Sequence, residues 1–116
     1  MKVLGKEPSI LVVDDDPVVC QTVAAVLSSK AYSVAEANTT QEALGILEAH
    51  QIDLVVLDVE IGAERGLDLL QLIKESFPNV HVVMLTGLGY NERVWQEAGR
   101  LGASGYVSKA LPLITS

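Results

Sequence analysis

The stretch "IDLVVLDVEIGAERG", residues 52–66, contains an apolar run that ends abruptly on a carboxylate. Its centre, residues 54–57, has the Val/Leu composition of a strand that is covered on both faces. Asp58 follows directly, with a second acid at Glu60. A buried carboxylate without a partner is strongly unfavourable. Asp58 therefore either lies just outside the core, where it caps a turn, or is placed there to react.

Four further apolar runs occur at fairly regular spacing along the chain: residues 10–13, Ser33–Ala37, residues 82–85 and Gly105–Ser108. The intervening segments carry apolar residues with a helical period, as in Val19, Val23, Val26 and Leu27. The resulting β-α alternation predicts an α/β sandwich with a parallel sheet and right-handed crossovers.

Capping residues predict where the helices begin. Asp16 precedes Pro17 as an N-cap, Thr39 and Glu42 have capping-box spacing, and Asn91 precedes the fourth helical pattern. Two further residues predict helix ends: Pro78 after the third helix and Gly102 after the fourth.

Length and composition limit the classes of function. The 116 residues suit one domain, and the net charge of −7 disfavours direct binding of nucleic acid. No apolar run is long enough for a membrane span, and no signal peptide is recognisable. With Cys20 as the single cysteine, no internal disulfide can form. We expect Cys20 to be core packing and the protein to be cytoplasmic.

Reactive side chains follow the predicted strands at the points where these strands end. In open α/β sheets, ligands bind beyond the carboxyl ends of the strands. If the first, third, fourth and fifth strands are neighbours, one pocket contains these residues: Asp14, Asp15, Asp16, Asp58, Thr86, Ser108 and Lys109.

Such a pocket suits phosphoryl chemistry. A carboxylate such as that of Asp58 can attack phosphorus and form an acyl phosphate. A hard cation such as Mg²⁺ binds both carboxylates and phosphoryl oxygens. The ammonium of Lys109 can hold a phosphoryl oxygen, and the hydroxyl of Thr86 can donate to another.

Four motifs, in this order, resemble the receiver domain of response regulators in two-component signalling: "ILVVDDDP", "DLVVLDVEIGAERG", "VVMLTG" and "GASGYVSK". The resemblance covers about residues 9–112. It implies a flavodoxin-like, doubly wound, five-stranded parallel sheet with strand order 2-1-3-4-5. It also implies a phosphoacceptor module rather than a turnover enzyme.

Residue roles follow from the resemblance by position. It implies that Asp58 is the phosphoacceptor and that Lys109 binds the phosphoryl group. It implies a switch formed by Thr86 and Tyr106. It further implies a Mg²⁺ (or Mn²⁺) site made by Asp14, Asp15, Asp58 and the backbone carbonyl of Glu60. The implied partner is a phosphohistidine on a sensor histidine kinase or a phosphotransfer protein, and no membrane or nucleic acid is involved.

The sequence also departs from the family pattern. Gly62 stands where the family usually has proline, and Gly87 is smaller than the usual residue after the threonine. Ala110 replaces the proline that usually follows the lysine. A cis bond costs about 2.5–4 kcal/mol without proline. We predict a cis Lys109–Ala110 bond held by the site, with a trans bond as the open alternative.

Seven residues follow Lys109, fewer than the fifth helix of the family needs. We therefore expect residues 1–116 to be a receiver domain whose fifth helix is truncated or absent. The natural chain is expected to continue into that helix and an output domain. The apolar face left uncovered would favour a homodimer.

Several residues also have an interpretation in which they take no part in the chemistry of the site. Asp16 is expected to be only a cap, and the Glu60 side chain is expected to be solvated. Trp95 is either at the edge of the core or an exposed partner contact. His50 and His81 are expected to be structural, because no pair has zinc-type spacing.

Two alternative functions compete with the phosphorylatable switch. The chain could be a receiver-like scaffold or dimerisation module that has lost phosphorylation. It could also be an aspartyl phosphatase of the haloacid-dehalogenase type. That family has a second Asp two residues after the nucleophile, where this chain has Glu60, and a cap insertion that 116 residues can hardly accommodate.

Overall fold

The computed structural model describes residues 8–87 and 91–109. Its main sheet has five parallel strands in the spatial order β2-β1-β3-β6-β7. These strands are β1 (Ser9–Val13), β2 (Ser33–Ala37), β3 (Leu54–Asp58), β6 (His81–Thr86) and β7 (Gly105–Ser108). The predicted flavodoxin-like order 2-1-3-4-5 is confirmed. Strands β6 and β7 are the fourth and fifth strands of this sheet, because the two short strands that precede them in the chain form a separate hairpin.

The hairpin is formed by β4 (Glu60–Ile61) and β5 (Glu64–Arg65), which pair antiparallel directly after β3. It was not predicted, since two-residue strands have no detectable alternation. Gly62 lies in its turn with a φ of 62°, the left-handed region that glycine enters without strain. Glycine at this position therefore suits the turn that the structure adopts.

Within the described residues, the strands are connected by four helices, namely α1 (Pro17–Ser28), α2 (Thr40–Ala49), α3 (Gly66–Ser76) and α4 (Glu92–Arg100). The three predicted N-caps are confirmed. Asp16 accepts from the Val18 backbone N–H, Thr39 from that of Glu42, and Asn91 from those of Arg93 and Val94.

The helix ends also agree with the predictions. Helix α3 ends two residues before Pro78. Beyond α4, Gly102 adopts a φ of 105°, which favours glycine at a helix C-terminus.

The central strands are buried on both faces. One face packs against α2, α3 and α4 through residues that include Leu57, Leu70 and Met84. The other face packs against α1 through Val12, Val23 and their neighbours. These two layers hold the carboxyl ends of β1, β3, β6 and β7 at one edge of the sheet.

Two predictions concern residues 110–116, which lie outside the described part of the chain. They are the incomplete fifth helix and the cis Lys109–Ala110 bond, and both stay predictions. None of the helices in the described ranges has the length and apolar character needed to cross a membrane.

Candidate functional site

The sheet brings the predicted acids, hydroxyl and ammonium to one edge. Asp58 is the last residue of β3 and Thr86 the last of β6, while Asp14 directly follows β1. Lys109 directly follows β7, and its backbone N–H donates to the Thr86 carbonyl at 2.7 Å. The four chain positions converge because these strands are parallel neighbours.

Lys109 bridges the two buried carboxylates. Its Nζ atom lies 2.8 Å from Oδ2 of Asp14 and 3.3 Å from Oδ2 of Asp58. The side chain of Asp14 has no solvent exposure, and that of Asp58 is 7% exposed. The ammonium thus compensates charge that would otherwise be buried without a partner.

Asp14 is held by its backbone as well as by its side chain. Its Oδ1 accepts from the Asp16 backbone N–H at 2.9 Å. Its carbonyl oxygen accepts from Asn38 Nδ2 at 2.9 Å and lies 3.4 Å from the Cys20 Sγ donor. Apart from the Lys109 ammonium, no donor among the described residues reaches Oδ2 of Asp14.

Sequence reasoning missed Asn38 as part of this region. Asn38 directly follows β2, and its backbone N–H donates to Glu42 of α2 at 2.8 Å. A polar residue at the end of a strand was the available signal. Its contact with Asp14 depends on β2 lying beside β1.

Cys20 is core packing, as predicted. Burial, followed by the charge of Asp14, raises the pKa of its thiol to about 11. The thiol is therefore neutral at physiological pH and lacks the thiolate needed for nucleophilic chemistry.

Asp58 is positioned by the turn that follows it. Its Oδ1 accepts from the Glu60 backbone N–H at 3.3 Å. Val59 donates its N–H to the Leu85 carbonyl, and Gly66 donates its N–H to the Val59 carbonyl. A Cβ atom built on Gly66 would overlap the Asp58 carbonyl oxygen. Only glycine allows α3 to begin this close to the backbone of Asp58.

The pKa values of two residues at the site are shifted upward. Burial and the adjacent Asp14 charge raise the pKa of Asp58 to about 6, against the opposing effects of Lys109 and the Glu60 N–H. Burial alone would lower the pKa of Lys109. Its hydrogen bond to Asp14 and the charge of Asp58 outweigh that effect, so the pKa of Lys109 is raised.

The acidic cluster fits a hard divalent cation. Carboxylate oxygens of Asp14, Asp15 and Asp58 all lie within 4.8 Å of one another. Asp15 is exposed at the mouth of the site, whereas the other two carboxylates are buried. Oxygen donors of this kind, with room for water on one side, are those that Mg²⁺ prefers.

An open cleft of about 520 Å³ adjoins the cluster. Asp58, Thr86 and Lys109 line it together with Tyr106. Thr86 is buried, and Gly87 lies beside the methylene chain of Lys109. The cleft is thus lined by the Asp58 carboxylate, the Thr86 hydroxyl and the Lys109 ammonium, whereas Asp14, Asp16 and Ser108 of the predicted pocket are not among its lining residues.

Other predicted positions lie on the periphery of this cleft. Glu60 also lines it, and its side chain is exposed. Asp16 caps α1 and is exposed. Trp95 of α4 is half-buried and contacts Tyr106 edge-to-face, which places it at the edge of the core.

Comparison with known proteins shows the family to which the chain belongs. The sequence model of the response regulator receiver domain matches residues 10–114. The chain belongs to this family. Receiver domains are signalling modules of two-component response regulators, so the resemblance carried by the four motifs is confirmed.

A curated relative is the nitrogen assimilation regulatory protein NtrX of Azorhizobium caulinodans, which is 36% identical over 102 residues. The alignment covers 86% of this chain but only 22% of that relative. The chain likewise spans 57% of the photosynthetic apparatus regulatory protein RegA of Rhodovulum sulfidophilum. The relatives are thus longer proteins of which a receiver domain is one part.

Solved structures agree with the fold. A response regulator of Thermotoga maritima superposes with a TM-score of 0.84 at 30% identity, covering 94% of this chain and 90% of that one. A response regulator of Burkholderia pseudomallei, containing a phosphorylated aspartic acid, a calcium ion and citrate, has a TM-score of 0.85 at 27% identity. That match covers 94% of this chain and 64% of the other.

Proposed function

We propose that this receiver domain accepts a phosphoryl group on Asp58 in a reaction that depends on Mg²⁺ or Mn²⁺, and that the modification switches its partner-binding surface. The observation that carries the proposal is the position of the Lys109 ammonium, 2.8 Å from Asp14 and 3.3 Å from Asp58. A phosphoryl group on Asp58 would lie within reach of that ammonium.

Asp58 supplies the nucleophile. One of its carboxylate oxygens forms the new bond to phosphorus while the phosphorus–nitrogen bond of a donor phosphohistidine breaks. The electron pair of the broken bond stays on the imidazole nitrogen, so the transfer needs no oxidant or reductant. The rigid end of β3 holds the carboxylate, which suits a reaction whose catalysis is mostly positioning and charge compensation.

The other residues stabilise the charge that the phosphoryl group adds. Lys109 acts as a point charge toward one phosphoryl oxygen, and the Thr86 hydroxyl donates to another. Asp14, Asp15 and Asp58 would hold the cation, with the backbone carbonyl of Glu60 as a further ligand. The bound cation would neutralise part of the negative charge shared by the carboxylates and the phosphoryl group.

The phosphorylated residue in the Burkholderia pseudomallei structure supports this chemistry by analogy, since that protein also carries a divalent cation.

We propose a sensor histidine kinase or a phosphotransfer protein as donor, in a cytoplasmic setting. We also propose that residues 1–116 form one domain that controls an output domain or a separate protein. Homodimer formation stays a prediction that sedimentation velocity over a concentration range would test.

Intact mass spectrometry after incubation with acetyl phosphate and Mg²⁺ tests the proposal. We expect a single phosphoryl adduct on the wild-type chain, no adduct with excess EDTA, and no adduct on Asp58→Asn. Asp53→Asn is the matched control, because Asp53 is a second carboxylate near β3 that is exposed and lies outside the cleft. This variant should be phosphorylated like the wild type.

The absence of any adduct on a folded wild-type chain would contradict the proposal and favour the scaffold alternative. The phosphatase alternative makes a different prediction. It requires many turnovers of an added phosphoester per chain, whereas a receiver domain is modified once and returns slowly to its initial state.

A further inference from the structure

Trp95 and Tyr106 form an aromatic pair outside the acidic cluster. Their ring centroids lie 5.2 Å apart, and the ring planes make an angle of 68°. This edge-to-face arrangement is one that aromatic pairs prefer. Trp95 is in the second turn of α4 and Tyr106 in β7, and both side chains are half-buried. The pair therefore joins α4 to the strand that leads into Lys109.

Tyr106 lies between this contact and the reactive cleft. Thr86 pairs with Ser108 and Met84 pairs with Tyr106 in the register of β6 and β7. Because side chains alternate along a strand, Tyr106 and Thr86 project from the same face of the sheet. Tyr106 lines the cleft together with Thr86, whereas Trp95 is not among the described residues of the cleft wall. Tyr106 therefore borders both the cleft and the contact with Trp95, so a displacement of its ring would alter that contact.

We propose that Trp95 is a positioning residue that holds Tyr106 against α4 in the unphosphorylated chain, and that phosphorylation of Asp58 breaks this aromatic contact. The inference rests on the proposed phosphorylation. When Thr86 turns toward the phosphoryl group, Tyr106 follows it and leaves Trp95. The contact exists in one state only, so it contributes to the equilibrium between the two states. It opposes switching, and it changes the surface of α4 when it is lost.

Removing the indole should therefore favour the switched state. Beryllofluoride mimics the phosphoryl group and serves as the probe, together with Mg²⁺. From the strength of aromatic pairs, Trp95→Leu should bind beryllofluoride roughly 2- to 10-fold more tightly than the wild type. Trp95→Phe retains an aromatic ring and should stay within about twofold of the wild type. Gln96→Ala, an exposed change at the next position of α4, is the matched control and should not alter the affinity.

Isothermal titration calorimetry measures these affinities.

A fluorescence measurement on the wild-type chain provides a second test that needs no variant. Trp95 is the only tryptophan in the sequence, so its emission reports on this contact. We expect beryllofluoride to change that emission in the wild type and much less in Tyr106→Leu, where the contact is already absent. Unchanged emission in the wild type, or equal affinities of Trp95→Leu and Gln96→Ala, would overturn the inference.

The two proposals fail in different ways. If the wild-type chain gives no phosphoryl adduct by mass and binds no beryllofluoride, the proposed function itself is wrong. If the adduct forms on Asp58 but the Trp95 emission does not respond, phosphorylation stands and only the role of Trp95 is rejected.

Discussion

The Nζ atom of Lys109 lies 2.8 Å from Oδ2 of Asp14, a carboxylate side chain with no solvent exposure. The same ammonium lies 3.3 Å from Asp58. One partly exposed cation thus compensates two buried anions, and it makes the stability of this domain depend on the residues of its candidate functional site.

Removing the ammonium should destabilise the fold. Lys109→Met leaves the Asp14 carboxylate buried without its cation, and we expect the free energy of unfolding to fall by about 1–3 kcal/mol. This loss of stability is smaller than that expected for a fully buried ion pair, because the Lys109 side chain is 21% exposed. Urea denaturation at pH 7.5 with EDTA measures it. Lys30→Met, at an exposed position after α1, is the control and should change stability by less than about 0.5 kcal/mol.

Neutralising Asp58 should have the opposite effect. Burial and the charge of Asp14 raise the pKa of Asp58 to about 6, from an ordinary value of 3.8. The folded state therefore holds this proton more tightly than the unfolded state, and stability is lost as pH rises from about 4 through about 6. Without divalent cations, Asp58→Asn should be more stable than the wild type at pH 7.5 by about 1–3 kcal/mol.

That difference should shrink as the pH falls through about 6 and approach zero below the ordinary pKa of 3.8, where Asp58 of the wild type is protonated in both states. Urea denaturation of both proteins across this pH range measures the change. Asp68→Asn, at a side chain of α3 that is 70% exposed, serves as the control. A stability difference between Asp58→Asn and the wild type that does not vary with pH would contradict the assignment.

Mg²⁺ should stabilise the wild-type domain through its acidic cluster. At a concentration ten times its dissociation constant, a ligand that binds only the folded state raises the free energy of unfolding by about 1.4 kcal/mol. The shift in melting temperature should be lost in Asp15→Asn and greatly reduced in Asp58→Asn. Asp16→Asn keeps a side chain that can cap α1 and should respond like the wild type. An equal response in all four proteins would place the cation elsewhere.

Gly66 should not tolerate a side chain. In Gly66→Ala the new methyl group overlaps the Asp58 carbonyl, so either α3 or the end of β3 must shift. We expect a loss of about 1–3 kcal/mol in stability and slower phosphorylation of the displaced Asp58. Gly45→Ala is the control, because a Cβ atom at this site in α2 meets no atom within 4 Å. That variant should gain up to about 1 kcal/mol. Urea denaturation and the mass assay test both variants.

Much of the architecture was readable from local patterns. Runs such as residues 54–57 have the composition of strands buried on both faces, because a parallel sheet is covered on each side. Helix starts at Asp16, Thr39 and Asn91 were readable because capping is a contact between residues two or three positions apart. The short β4-β5 hairpin could not be predicted, because strands of two residues are too short to show an alternation of apolar and polar residues.

The amino-acid sequence shows that acids, a hydroxyl and a lysine follow the ends of buried strands. It did not determine which atoms meet. The bridge from Lys109 to both Asp14 and Asp58, the hydrogen bond from Asn38 to the Asp14 carbonyl and the contact of Trp95 with Tyr106 join distant parts of the chain. These contacts depend on strand order, on register and on side-chain packing between separate elements. No local pattern encodes these features, so the contacts are visible only in the folded chain.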